Sequence, residues 1–329
     1  MALSASVESF IRPSSQDQSH ECSPFAHLTE IESNKEALSL GRDFIEGKSK
    51  FVLVIGPKGW GKTQLLQCVA QEISAKVGYQ VRPVGSLDAF LHNAEAMQVL
   101  ILDDFHALEK YPKSAQKVFR ILERRIKTQK PTMVALSESS IHNLRNQIPL
   151  WSKWQKATLR EPDQAEREQI LKKLCREMNI SLASDCIKLI ARAVQGDAHS
   201  LQGALKRIQV AGSCCHLHFD EIRVAGLLDA VFIEQHGFDI REMILDSVSQ
   251  SFPHKMRRIK PNCCWMLSVY IMRDRAGISE ERVARYFGLT SNEVFKLQKQ
   301  CADCLSRNET IVKEGLEKAI ASLKRKLYE

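Results

Sequence analysis

No apolar stretch in this chain approaches the roughly eighteen residues that a membrane-crossing helix needs, and no charged-then-apolar leader opens it. Membrane insertion and secretion are therefore not expected, and a cytoplasmic location is. Metal-type cysteine spacing is missing too. The chain has ten cysteines, but Cys214-Cys215 and Cys263-Cys264 are adjacent pairs poorly spaced for a shared metal, and Cys301 and Cys304 fall inside a helical pattern. Buried, reduced thiols are the expectation. Met1 to Pro24 lacks any apolar period and, rich in Ser, Gln and His, reads as a flexible tail. What is present is enough for ordinary cores: 329 residues, 44% of them hydrophobic, suit two or three globular domains.

The most informative stretch is FVLVIGPKGWGKT, residues 51 to 63. Five apolar residues lead into Gly56, Pro57, Lys58, Gly59, Trp60, Gly61, Lys62 and Thr63, the spacing of a phosphate-binding loop. The glycines let backbone N–H groups close around phosphate oxygens, the lysine offsets β/γ charge and the hydroxyl ligates Mg²⁺. Context separates this from a Gly/Lys-rich surface turn. Phe51 to Ile55 has the composition of a buried parallel strand, and Leu65, Leu66, Val69, Ala70 and Ile73 then share one helical face. The N-terminus of that helix adds free N–H groups and its dipole to anion binding. ATP or ADP, with Mg²⁺, is the expected ligand.

Strands and helices alternate from Phe25 onward. Gln80 to Val84 and Val99 to Leu102 suit strands, an amphipathic helix carries Val118, Phe119, Leu122 and Ile126, and Thr132 to Leu136 suits another buried strand. The expected fold is α/β, a doubly wound P-loop core on a parallel sheet. The run VLILDD delivers two carboxylates to a strand end: Asp103 as a Mg²⁺ ligand beside Thr63, Asp104 to polarise attacking water. Taken alone, two aspartates there read as a turn or helix signal; the upstream loop inverts that weighting. Three later stripes (Ile170, Leu171, Leu174, Met178; Ile187, Ile190, Ala191, Val194; Leu201, Ala204, Leu205, Ile208) predict a small helical bundle.

The segments flanking the core resemble the DnaA family of AAA+ replication initiators. FAHLTEIESNKEA (Phe25 to Ala37) matches the family's opening segment at Phe25, Ser33, Asn34 and Ala37. REPDQAEREQILKKL (Arg160 to Leu174) is similar to the entry into its helical lid, and SLQGALKRI (Ser200 to Ile208) to its sensor-2 helix around Gly203-Ala204-Leu205. The resemblance runs from Phe25 nearly to the C-terminus. It implies a tail (1–24), an AAA+ nucleotide-binding core (25–160), a helical lid (161–235) and an all-α helix-turn-helix DNA-binding domain (236–329), without the N-terminal helicase-loading domain. The implied role is initiation or regulation of chromosomal replication, on double-stranded DNA, with itself or a full-length initiator as protein partner.

Departures from the family pattern matter as much. The sensor-2 arginine that reaches the γ-phosphate falls on His199, which is shorter and mostly neutral near pH 7. The trans-acting arginine finger aligns near Leu150, which carries no charge; Arg145 and Lys153 are nearby substitutes. Glu138, after Ser137, fits sensor 1. Nucleotide binding is expected to be intact, hydrolysis and filament assembly weak or absent. Gly85 to Gln98 has room for at most one short helix where the family places two that contact single-stranded DNA, a shortening that resembles the regulatory paralogue Hda. Two alternative readings stay open: an adaptor that modulates a full-length initiator through AAA+ contacts, and an active ATPase or helicase loader.

From Phe238 to the end, seventeen Lys/Arg stand against twelve Asp/Glu, most of the chain's net +8. Such an excess suits a polyanion. HKMRRIKP clusters Lys255, Arg257, Arg258 and Lys260 where the resemblance places a basic loop. SEERVARYFGLTSNEVFKLQKQC then reads as helix, tight turn at Gly288, second helix. Val283, Ala284 and Phe287 are expected to pack inward, Thr290, Ser291 and Asn292 to cap the second helix, and Lys296 and Lys299 to meet phosphates. The family's base-reading signature aligns with Thr290 to Val294 without one identity, so the usual initiator box is not the expected target.

Overall fold

The structure is a computed structural model that describes residues 24–77, 82–83, 94–95, 97–110, 112–214, 219–231, 239–252 and 261–328. Strands β1 (Phe51–Gly56), β2 (Arg82–Pro83), β3 (Leu100–Asp103), β4 (Thr132–Ser137) and β5 (Gln155–Thr158) form one parallel sheet in the order β2-β3-β4-β1-β5. The period-two rule divides the strand residues between two cores. Phe51, Leu53, Ile55, Leu100, Leu102, Val134 and Leu136 face one side, with Val118, Leu122 and Ile126 of a helix at Pro112–Lys127. Val52, Val54, Ile101, Met133, Ala135 and Ala157 face the other, with Ala37, Leu38 and Phe44 of a helix at Lys35–Ile45 and Leu65, Leu66, Val69 and Ile73 of a helix at Lys62–Val77. These helices are α1 (Lys35–Ile45), α2 (Lys62–Val77) and α3 (Pro112–Lys127). Each Val, Leu, Ile, Phe or Met among them contributes about 1.5–3 kcal/mol by leaving water.

Most expected elements are present, with shifted edges. The third strand runs Leu100–Asp103, so Asp103 is its last residue and Asp104 lies beyond it. Pro24, placed in the tail on sequence grounds, opens a 3-10 turn whose carbonyl accepts from the Cys68 thiol. Strand β5 had no sequence signature, because only Ala157 of its four residues is buried at this sheet edge. The buried Arg125 of α3 was equally invisible. Its guanidinium donates to Thr132 Oγ1 (2.9 Å) and to the carbonyls of Ala94 (2.8 Å), Met97 (2.7 Å) and Pro131 (2.8 Å), pinning the chain entering β3 and β4. A buried charge is tolerable only with such a set of acceptors.

Beyond the sheet the fold is helical. Helices α4 (Gln164–Glu177), α5 (Ser184–Ala193) and α6 (Ala198–Cys214) are the three expected stripes; α7 (Glu221–Leu227) follows. Helix α4 begins with a capping box between Asp163 and Glu166, and the Glu166 carboxylate also accepts from the Ser33 N–H (2.8 Å) and hydroxyl. The segment before α1 is thereby tied to the lid entrance. Helices α8 (Ile240–Ser251), α9 (Pro261–Tyr270), α10 (Glu280–Phe287), α11 (Ser291–Ser306) and α12 (Thr310–Tyr328) complete the chain.

Leu171, Ile190, Leu205 and Ile208 belong to the same apolar cluster as Ile244, Leu267, Val283, Val294 and Leu323, so helices α4–α6 and the C-terminal helices share one core. The boundary expected between 235 and 236 lies outside the described residues. Contact is close enough that a Cβ on Gly226 of α7 would sit 2.0 Å from the Ala276 carbonyl oxygen. Asp229, buried just after α7, accepts from Arg282 of α10 at 2.6 Å. Cys68, Cys175, Cys186 and Cys301 are buried free thiols; burial pushes Cys186 up to about 11 and Cys301 up to about 12.

Candidate nucleotide site

Strand β1 ends at Gly56, where a Cβ would meet Leu159 at 2.7 Å; glycine lets the chain leaving β5 pass. Gly59 (φ 80°) and Gly61 (φ 88°) then take left-handed conformations that turn the backbone around the loop. Lys62, the first residue of α2, is buried inside this curve, and its Nζ donates to the carbonyls of Gly56 (2.9 Å) and Pro57 (2.6 Å). Burial lowers the Lys62 pKa, and the carboxylates of Asp103 and Asp104 partly counter it. The sheet therefore brings residues forty positions apart to one edge, outside the carboxyl ends of its strands.

Asp103 is buried, and its Oδ1 accepts the Asp104 N–H at 2.9 Å. Asp104 is exposed, with a left-handed backbone (φ 50°) whose carbonyl accepts from Ala107 N–H. The inner carboxylate is thus fixed and the outer one free to meet solvent. Thr63 is exposed on the first turn of α2, as is Lys58 on the loop; Pro57 and Trp60 are half-buried. Glu138 is exposed on the turn after β4.

The segment opening α6 touches the loop directly. The Ala198 N–H donates to the Gly59 carbonyl (3.3 Å), Trp60 packs against the helical core, and a Cβ on Gly59 would lie 2.3 Å from Asp197. Asp197 opens α6 by accepting from the Ser200 N–H (3.0 Å) and hydroxyl (2.9 Å). Burial pushes its pKa up, but the Ser200 bonds and the neighbouring His199 more than offset that and hold it below the usual aspartate value. Sequence reasoning singled out His199, exposed on the same turn, and missed Asp197; an aspartate three residues ahead of Ser200 was the available N-cap signal. Leu150 is 45% exposed in a left-handed conformation. Of the two nearby cations considered as finger substitutes, Arg145 lies over the Trp151 ring at 5.9 Å and Lys153 is exposed.

The arrangement can hold a polyphosphate: a loop of left-handed glycines, a buried ammonium satisfied by loop carbonyls, and a helix N-terminus all converge. Thr63 and the buried Asp103 form an all-oxygen donor pair of the type Mg²⁺ takes. Of the residues expected to meet DNA, Thr290 caps α11 in a capping box with Glu293, and Ser291, Asn292, Lys296 and Lys299 are exposed on that helix. Gly288 (φ 66°) makes the tight turn from α10. Lys255, Arg257, Arg258 and Lys260 lie outside the described residues, as does most of Gly85 to Gln98.

Fold and site are those of a P-loop nucleotide-binding core, and residues 52–207 match the family described as "ATPase family associated with various cellular activities (AAA)". Among known proteins the chain is similar to replication initiators named DnaA. It is 20% identical over 298 residues to the chromosomal replication initiator protein DnaA of Caldanaerobacter subterraneus subsp. tengcongensis, covering 82% of this chain and 67% of the relative. It is 24% identical over 304 residues to DnaA of Campylobacter jejuni subsp. jejuni, covering 84% and 66%. The chain thus spans about two thirds of the length of these relatives. Domain III of Thermotoga maritima DnaA superposes with a TM-score of 0.55 at 18% identity, covering 63% of this chain and 95% of that one. AMPPCP-bound DnaA from Aquifex aeolicus does so with 0.52 at 17% identity, covering 93% and 99%. No helix among the described residues is long and apolar enough to cross a membrane.

Proposed function

We propose that this chain binds ATP or ADP in the β1–α2 loop and acts on double-stranded DNA in the initiation or regulation of chromosomal replication. The observation that carries the reading is the buried Lys62 near the buried Asp103, on a chain that also carries a tight helix pair with Lys296 and Lys299 exposed. The AMPPCP bound by the Aquifex protein supports the nucleotide half; the DNA half is supported by the exposed lysines of the helix pair and by relatives named as chromosomal replication initiators. Phosphates take over the Lys62 ammonium now held by Gly56 and Pro57 carbonyls, and the loop N–H groups share their charge. Mg²⁺, held by Thr63 and Asp103, would neutralise phosphate charge when bound. Asp104, exposed beyond the strand, polarises water.

Turnover is slow in this reading. An arginine finger contributes factors of about 10³ to 10⁵, and Leu150 and His199 stand where the resemblance places two arginines. The chain then works as a nucleotide-occupied switch or scaffold joined to a DNA-binding arm. Two measurements test this: titration of a fluorescent ATP analogue, and gel shifts of random and origin duplexes at low salt. Nucleotide binding with no shift of either duplex would replace the DNA reading with that of an adaptor acting on a full-length initiator. Rapid turnover abolished by Asp104→Asn would favour an active ATPase.

A further inference from the structure

The outer face of α11 carries a stripe with an unexpected member. Asn292, Phe295, Lys299 and Ala302 recur at helical spacing and are all exposed, while Val294 and Cys301 on the opposite side are buried. Phe295 is 59% exposed, the most exposed aromatic ring among the described residues. A single apolar side chain on a surface is ordinary; its neighbours give this one a partner. Lys296 and Lys299 flank it, and the Thr290–Glu293 capping box fixes the register of the first two turns on which it stands. In a helix-turn-helix pair those first turns of the second helix are the part that faces base edges.

We infer that Phe295 reads thymine methyl groups in the major groove, giving this chain an apolar element of sequence preference flanked by lysine contacts to phosphate. The inference rests on the DNA-binding reading above. A phenyl ring offers neither donor nor acceptor to the polar edges of guanine, cytosine or adenine. The C5 methyl of thymine is the one apolar feature that the major groove presents. Helices α10 and α11 together carry four basic and four acidic residues, so the electrostatic contribution here is local, from Lys296 and Lys299 beside the ring.

The test uses the full chain and two libraries of random-sequence duplex with identical sequences, one made with thymine and one with uracil, which lacks the methyl. The wild type should bind the thymine library about twofold to fourfold more tightly, the upper figure being the worth of one buried methyl group. Phe295→Ala should bring that ratio to one, and Phe295→Leu, which keeps an apolar contact, should hold it above one. Equal binding of both libraries by the wild type overturns the inference while leaving DNA binding intact, and so does a Phe295→Ala protein that keeps the wild-type ratio. Failure to bind either library at low salt overturns the DNA reading, and the inference with it.

Discussion

The glycine-loop end and the α10–α11 end of this chain are built by opposite means. The phosphate site is largely backbone: left-handed Gly59 and Gly61, carbonyls of Gly56 and Pro57, and two buried charges, Lys62 and Asp103, delivered by a strand and a helix that the core fixes. The α10–α11 pair presents exposed side chains on a frame set by Val283, Val294 and Gly288. The first kind of site tolerates almost no substitution, because its glycines answer steric demands and its charges are already desolvated. The second can change partner by changing surface residues while the frame stays. That contrast matches the sequence, in which the loop follows its motif and Thr290 to Val294 share nothing with the family signature.

Four experiments would break or sharpen this contrast. Lys62→Ala should have the largest effect, weakening binding of a fluorescent ATP analogue at least about thirtyfold, since truncating one member of a buried charge pair costs 2–5 kcal/mol or more. Retained affinity would show that the loop does not carry the phosphates. Gly226→Ala comes next. Its Cβ would strike the Ala276 backbone carbonyl, which cannot rotate aside, so the helical core should lose about 1–3 kcal/mol, read as a lower midpoint in thermal melts. If lid and C-terminal helices are one cooperative unit, far-UV and near-UV signals of that variant shift together; separate transitions would divide them.

Glu166→Ala should cost about 1.5–3 kcal/mol, the worth of hydrogen bonds to a charged group. Burial pushes the Glu166 carboxyl up, but the Ser33 hydroxyl and the N–H groups of Asp163 and Ser33 outweigh it and hold the pKa below 4.5. A depressed folded pKa means that the stabilisation is present above 4.5 and lost as pH falls through the lower folded value. The gap between wild type and variant in urea melts should therefore be full at pH 7 and close in acid; a gap that widens in acid would contradict the assigned bonds. The smallest effects belong to the surface. Lys296→Ala and Lys299→Ala should each reduce the magnitude of the salt slope of log K for duplex binding by about 0.9, with little change in stability. An unchanged slope would remove that lysine from the phosphate contacts.

The phosphate loop, its strand and helix, the Asp103 edge and the three lid stripes were legible because each follows from a local rule: glycine where φ is positive, period two for strands, period 3.6 for helices. Strand β5 was not, since QKAT sits on a sheet edge with one buried residue and carries no periodicity. Arg125 reads in sequence as one more surface cation of a basic helix, yet it is fully buried among carbonyls donated by segments on either side of it. Asp197 was passed over in favour of His199 because its contact with Gly59 joins positions well over a hundred residues apart. Phe295 was passed over because a phenylalanine in a helical pattern is ordinarily read as core.

By itself the sequence determined the elements and the chemistry of the loop, since glycine conformations, helix caps and apolar periods are properties of short segments. Only the tertiary structure decided that Lys62 and Asp103 are both buried near enough for their charges to interact, that the start of α6 meets the loop through Asp197 and Ala198, and that α4–α6 and the C-terminal helices close around a single core. Those are long-range contacts. Their energies depend on which surfaces leave water together, and no local pattern encodes that.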